Sequence, residues 1–178
     1  PTEARNELDL LNKLSESEDV KRVIIWSINP AEQVCKIASN VLEAELHAKS
    51  GNYQSAIQLL KKAIELEDGL NYNEPPDWFF SVRHLLGDAL MNSQNYAGAE
   101  KIYLEDVSYW PKNGFALNGL YESLKGQDKM QEAEGVKKQF DTAWRYADSE
   151  LKYSRIDKNK RKDLVLHIRS EHSISPMR

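Results

Sequence analysis

Residues 94–99 of the chain read QNYAGA, and two related segments occur elsewhere, GNYQSA at 51–56 and DKMQEA at 128–133. Each segment starts with residues that favour a turn and continues into a helical pattern through a small residue. Ala99 and Ala133 are 34 residues apart, while Ala56 precedes Ala99 by 43 residues. Self-similarity at this period indicates stacked helical units, each a helix, a turn and a second helix.

The larger of the two spacings exceeds the smaller by nine residues, and the excess has a visible location. Residues 70–78, which read LNYNEPPDW, lie between the first and second units. Consecutive prolines are not accepted inside a helix, because proline lacks the backbone N–H and clashes with the preceding turn. We therefore expect an insertion at 70–78, followed by a helix that Asp77 caps.

The second unit shows the helical spacing most clearly. Apolar residues at i, i+3 and i+4 intervals stand on both sides of its turn: Leu85, Leu86, Ala89 and Leu90 before it, and Ala99, Ile102, Tyr103 and Val107 after it. Gly87 lies within the first of these helices, where glycine costs about 1 kcal/mol relative to alanine. We expect a close helix crossing at this position, with Ala99 facing Gly87.

These residues resemble the signature of the tetratricopeptide repeat. The resemblance is carried in the second unit by Leu86, Gly87, Tyr96, Ala99, Tyr103 and Pro111. A Pro-Pro-Asp-Trp turn at 75–78 is also similar to a segment of bacterial tetratricopeptide proteins of unassigned function. The resemblance spans residues 37–151 and implies an all-α fold, a right-handed superhelix of antiparallel helix hairpins.

Three regions follow from this pattern. Residues 1–36 are expected to form an N-terminal helical extension, residues 37–151 three hairpins with the insertion at 70–78, and residues 152–178 a basic, flexible tail. The expected helices lie near residues 2–14, 31–50, 53–67, 77–93, 96–109, 113–126 and 129–151.

Charge and composition narrow the class of function. The chain has a formal net charge of −4, but residues 152–178 carry +5, so the remainder carries −9. An acidic body repels a phosphate backbone, so nucleic acid is not an expected partner. No apolar run approaches the roughly 20 residues of a membrane-spanning helix, and a membrane is not an expected partner either. One cysteine, Cys35, excludes an intramolecular disulfide and any multi-cysteine zinc site.

The sequence carries no motif of a known catalytic class. It lacks the Gly-x-Ser-x-Gly elbow of a hydrolase and the glycine-rich loop that cradles phosphates. His84 and Asp88 form an i, i+4 pair, yet a metal would need further ligands from other helices. We therefore expect no catalytic residue, no cofactor and no metal. The compartment is not indicated.

Binding is the function that the resemblance implies. In a tetratricopeptide array the first helix of each hairpin lines a concave groove. The residues on that face are Glu45, Ser81, His84, Asp88, Met91, Phe115, Asn118 and Glu122. Such a groove is mixed and somewhat acidic, which favours a basic or amide-rich segment. Trp78 and Phe79 are expected either in a lip at one end of the groove or in an aromatic plug with Tyr109 and Trp110. Arg83 is expected to pair with Glu105 or Asp106.

The resulting interpretation is a non-catalytic protein–protein interaction scaffold, a monomer or a weak homodimer, that binds a peptide or protein segment. Two alternatives stay open at this point. In the first alternative, the chain is an accessory domain whose groove contacts the substrate of a larger enzyme. In the second, it is a self-assembly domain that pairs through exposed terminal faces. A catalytic domain upstream of Pro1 would favour the first, and a concentration-dependent mass would favour the second.

Overall fold

The computed structural model describes residues 2–148, 150–151 and 154–155. Its helices are α1 (Thr2–Glu16), α2 (Glu18–Lys21), α3 (Ala31–Lys49), α4 (Tyr53–Asp68), α5 (Val82–Asn92), α6 (Tyr96–Tyr109), α7 (Gly114–Lys125) and α8 (Met130–Trp144). Two short antiparallel strands, β1 (Ile24–Ile25) and β2 (Asn29–Pro30), join α2 to α3. The sequence did not predict these strands.

The last six helices form three hairpins that stack in chain order. α3 packs on α4, α5 on α6 and α7 on α8, and contacts between α4 and α5 and between α6 and α7 join the hairpins. α5 also contacts α7 directly, and α1 packs on α3. The fold is an all-α, tetratricopeptide-like solenoid, as predicted.

The three hairpin turns share one backbone conformation. Gly51, Gln94 and Asp128 occupy corresponding positions and have φ values of 80°, 63° and 59°. In each turn the next residue donates its backbone N–H to the carbonyl five residues earlier, which is a common way to end a helix. The shared backbone conformation explains why the segments that begin at these residues look alike. Only the first of them carries the glycine that this conformation favours.

The insertion is held by Asn29, which is 1% exposed. Its side-chain amide donates to the Asn71 carbonyl at 2.9 Å and to Asp77 Oδ2 at 2.7 Å, and its Oδ1 accepts from the Asn71 N–H at 2.7 Å. The prediction that Asp77 caps α5 is therefore wrong, because Asn29 engages this carboxylate. Ser81 caps α5 instead, accepting from the Arg83 N–H at 3.3 Å.

The predicted end of the last helix is also wrong. α8 ends at Trp144 rather than near residue 151. Residues 145–148 are all exposed, so a further helical turn would bury no apolar face to offset its loss of entropy.

Tyr103 of α6 fills the crossing between α5 and α7. A Cβ added at Gly87 of α5 would lie 2.2 Å from Tyr103 Cζ, and one added at Gly119 of α7 would lie 2.3 Å from the same atom. The prediction of a close approach at Gly87 holds, and the atoms nearest to a Cβ there belong to Tyr103, whereas the prediction named Ala99. The missing side chains make room for an aromatic ring that is 1% exposed.

A cluster around Arg83 ties α4, α5 and α6 together. The Arg83 guanidinium is bidentate to Asp68, at 2.9 and 2.8 Å, and it also donates to Glu105 Oε1, confirming the predicted pair with Glu105. Beside it, Glu67 accepts the Val82 N–H at 3.0 Å. Burial raises the pKa of Glu67 to about 7, although the Val82 N–H and the Arg83 charge oppose the rise.

The Tyr103 crossing makes Gly87→Ala destabilising. The added methyl group overlaps a buried ring, so the free energy of unfolding should fall by about 1–3 kcal/mol. Gly135 lies inside α8, and nothing approaches within 4 Å of a Cβ there. As the matched control, Gly135→Ala should gain about 0.5–1 kcal/mol from helix propensity. Urea unfolding of both variants checks this, and equal effects at the two positions would contradict the crossing.

Glu67 should make stability depend on pH. Its pKa is higher in the folded chain than in the unfolded one, so the folded state binds more protons and stability falls as the pH rises from about 4.5 through 7. A shift of this size corresponds to roughly 3 kcal/mol.

Glu67→Gln keeps an acceptor for the Val82 N–H and removes the titration. At pH 5 this variant should have the same free energy of unfolding as the original chain. At pH 8 its free energy of unfolding should be higher by about 2–3 kcal/mol. Glu65→Gln, at an exposed position of the same helix, is the control and should change neither value. A Glu67→Gln effect that is the same at both pH values would refute the assignment.

Candidate functional site

Two carboxylates from different helices meet at one guanidinium on the face formed by α3 and α5. Arg155 Nη1 and Nη2 donate to the two oxygens of Glu45 at 2.8 and 2.7 Å, and Nη1 also donates to Asp88 Oδ2 at 3.2 Å. We call Glu45 and Asp88 the arginine pocket. The contact joins residues that are 110 positions apart in the chain.

The arginine pocket is partly shielded from solvent. The side chains of Glu45, Asp88 and Arg155 are 21%, 17% and 24% exposed. Burial raises the pKa of Asp88 above its usual value, and the charge and hydrogen bond of Arg155 oppose that rise. Two carboxylates this close repel one another, so the arrangement calls for a cation between them.

A second contact lies directly beside the arginine pocket. Ser154 is 3% exposed. Its hydroxyl lies 2.5 Å from Tyr103 Oη and donates to the His84 carbonyl at 3.2 Å. Because the serine proton is directed to that carbonyl, Tyr103 is the donor to Ser154. We call Tyr103 Oη and the His84 carbonyl the hydroxyl site.

The His84 ring itself faces the interior. His84 Nε2 lies 3.2 Å from Asp106 Oδ2, and Asn113 Nδ2 donates to the same carboxylate oxygen at 2.8 Å. Asn113 also caps α7 by accepting the Phe115 N–H at 3.1 Å. His84 and Asp106 are 3% and 1% exposed, so His84 offers the groove its carbonyl and not its imidazole.

A cavity of about 210 Å³ adjoins the arginine pocket. Its lining combines apolar with charged and amide side chains: Ala44, Glu45, Ala48, Lys49, Tyr53, Leu60, Leu85, Asp88, Ala89, Asn92 and Arg155. The volume suits one further side chain of a segment whose arginine occupies the pocket.

The other predicted groove residues have different surroundings. Ser81 caps α5, and Met91 is half-buried against the core. Asn118 is buried, at 6% exposure. Glu122 is paired with Lys125 on the same helix at 3.1 Å. Of the three carboxylates predicted for the groove, Glu45 and Asp88 thus meet at Arg155, whereas Glu122 is paired within its own helix.

The aromatic residues form a different cluster from the one predicted. Phe115 packs edge-on against Phe80 and Trp144, with ring centroids 5.3 and 5.5 Å apart. Trp78 is half-buried against the core, whereas Phe79 is 80% exposed. The predicted plug of Trp78, Phe79, Tyr109 and Trp110 is wrong, because its last two members are also largely exposed.

The sequence did not identify Ser154, Arg155 or Tyr103 as groove residues. The first two fell in the predicted tail, residues 152–178, and the rest of that tail lies outside the described residues. A usable signal was present in the charges, since a segment of net charge +5 follows a body of −9. Tyr103 was assigned to the core, and its ring does lie there.

The described residues contain neither a cluster of metal-binding side chains nor a membrane-spanning helix. Within residues 2–148, 150–151 and 154–155, no three histidine, cysteine, aspartate or glutamate side chains are grouped to hold a metal ion. No helix in the same residues has the length and apolar character needed to cross a membrane.

The comparisons with known proteins identify one part of the chain. The family model of the tetratricopeptide repeat matches residues 37–69, which cover most of α3 and all of α4. No curated protein and no solved structure matches the chain. The first hairpin, which supplies Glu45, is thus similar to a tetratricopeptide repeat, and the match supports a protein of this type.

Proposed function

We propose that the chain is a non-catalytic interaction module that binds an arginine-containing segment of a partner protein along α3, α5 and α7. Tetratricopeptide repeats generally mediate protein–protein interaction, and solenoids present extended concave surfaces for it. The observation that supports the arginine specificity is the meeting of Glu45 and Asp88 at one guanidinium.

The geometry favours arginine over lysine. Glu45 accepts two parallel N–H bonds from one planar guanidinium, and Asp88 accepts a third contact from the same group. A lysine ammonium is a point charge without this fork, and it cannot satisfy both oxygens of Glu45 in the same way.

The surroundings of the arginine pocket favour a peptide over a free amino acid. The hydroxyl site lies on one side of the pocket, and the cavity of about 210 Å³ adjoins it. A free arginine would leave both features empty, whereas an extended segment places neighbouring side chains in them.

The proposal predicts binding that depends on arginine and on both carboxylates. A positional library of nine-residue peptides with one fixed central residue should be tested against the Arg155→Ala chain, in which the pocket is free. Arginine should be selected over lysine and alanine. Asp88→Asn or Glu45→Gln in that chain should each weaken binding about tenfold, because each removes a charge-assisted hydrogen bond.

Glu122→Gln is the matched control, since it removes a carboxylate charge from α7 that is already paired with Lys125. It should leave the affinity unchanged. Fluorescence anisotropy at two salt concentrations measures all of these variants. Peptide binding without preference for arginine, or binding indifferent to Glu45 and Asp88, would contradict the proposed function.

A further inference from the structure

Ser154 and Arg155 are consecutive residues, and each has its own site in the groove. We infer that the groove recognises a Ser–Arg step, and that Ser154 and Arg155 are its resident ligand, which a partner's Ser–Arg segment must displace. This inference rests on the proposed function. It adds that the residue before the arginine is a serine, and that the chain's own Ser154 and Arg155 compete with the partner for the groove.

The hydroxyl site is suited to serine in both size and chemistry. Ser154 is almost fully buried, so a larger side chain at this position would meet the groove floor. Its hydroxyl accepts from Tyr103 and donates to the His84 carbonyl, which uses both capacities of a serine. Alanine would fit the space but would leave the buried Tyr103 hydroxyl without this partner, which is unfavourable.

Tyr103 reaches the groove only because two glycines leave it a path. Its ring passes between Gly87 and Gly119, and its hydroxyl emerges beside the arginine pocket. Burial raises the pKa of Tyr103, so the group stays neutral and remains a hydrogen-bond donor. The packing of the ring thus holds a hydrogen-bond donor at a defined position in the groove floor.

Covalent connection gives the resident ligand an advantage over a free peptide. Ser154 follows the end of α8 by ten residues, and a ligand tethered over so short a distance competes at an effective concentration in the mM range. The apparent Kd of an external segment equals its intrinsic Kd divided by the fraction of chains in which the site is free. Removing the resident side chains should therefore tighten external binding.

The test uses a fluorescent peptide with the sequence of residues 150–159, ELKYSRIDKN. The full chain and its Ser154→Ala/Arg155→Ala variant are titrated with it. We expect the variant to bind at least tenfold more tightly than the original chain. Equal affinity for the two would show that residues 154 and 155 do not compete and would overturn the inference.

Peptide variants test the Ser–Arg step itself. Replacing the serine of the peptide by alanine should weaken its binding to the double variant about tenfold, and replacing it by leucine should abolish binding. Adding Tyr103→Phe to the double variant keeps the ring and removes the hydroxyl, so the alanine peptide should then bind nearly as well as the serine peptide. A serine preference that survives Tyr103→Phe would refute the role of the hydroxyl site.

A second measurement needs no substitution. In the ¹⁵N-labelled original chain, the Arg155 Nε–Hε resonance should move toward the position of a free arginine as unlabelled peptide is added. A resonance that stays in place while the peptide binds would overturn the competition. A dimer that dissociates on Arg155→Ala would also overturn it, since the segment would then be exchanged between copies.

The outcomes separate this inference from the proposed function. If the arginine library selects arginine but removal of Ser154 and Arg155 changes no affinity, the proposed function stands and the inference fails. If neither the original chain nor its Ser154→Ala/Arg155→Ala variant binds any arginine peptide, both the proposed function and the inference fail.

Discussion

The position of the Tyr103 ring between Gly87 and Gly119 links the packing of the solenoid to the chemistry of its groove. α6 packs on both α5 and α7, and its tyrosine passes between them. Each glycine weakens its helix by about 1 kcal/mol relative to alanine. The burial of an entire aromatic ring offsets this cost and carries a hydroxyl to the groove floor. The same residue is therefore part of the core and part of the proposed binding surface.

Two polar clusters, one around the buried Arg83 and one around the buried His84, hold α5 in position. The Arg83 cluster joins it to α4 and α6. His84 Nε2 contacts Asp106 and lies 2.8 Å from Asn113 Nδ2, which joins α5 to α6 and to the start of α7. Such clusters have strict geometric demands, because an unsatisfied buried charge is costly. Asp88 lies one helical turn after His84, so these contacts fix where its carboxylate stands relative to Glu45. Interactions outside the arginine pocket thus hold it in place, and such pre-organisation would lower the cost of the proposed binding.

Local patterns in the sequence were sufficient to predict the hairpins, because each turn and each apolar stripe is encoded within a few residues of itself. The contacts that failed to appear in the sequence are those between distant segments. Nothing near Asp77 indicates that Asn29 engages it, and nothing near Gly87 distinguishes Ala99 from Tyr103 as its neighbour. The site shows the same division. Glu45 and Asp88 were predicted from helix faces, whereas Arg155 was missed because its pairing with Glu45 spans 110 residues. Only the opposite charges of the two regions hinted at that pairing.

The separation between Glu45 and Arg155 also has a consequence for the order of folding. Contacts within and between adjacent hairpins join residues that are near one another in the sequence. Forming them closes only small loops, so they form early. The arginine pocket, which Arg155 occupies, forms only after α3 and α5 have been brought together through α4. Ser154 and Arg155 should therefore dock after the rate-limiting step, so that loss of their contacts accelerates unfolding and leaves the folding rate nearly unchanged. The last segment to join the structure is then also the one that can leave the groove without unfolding the hairpins beneath it.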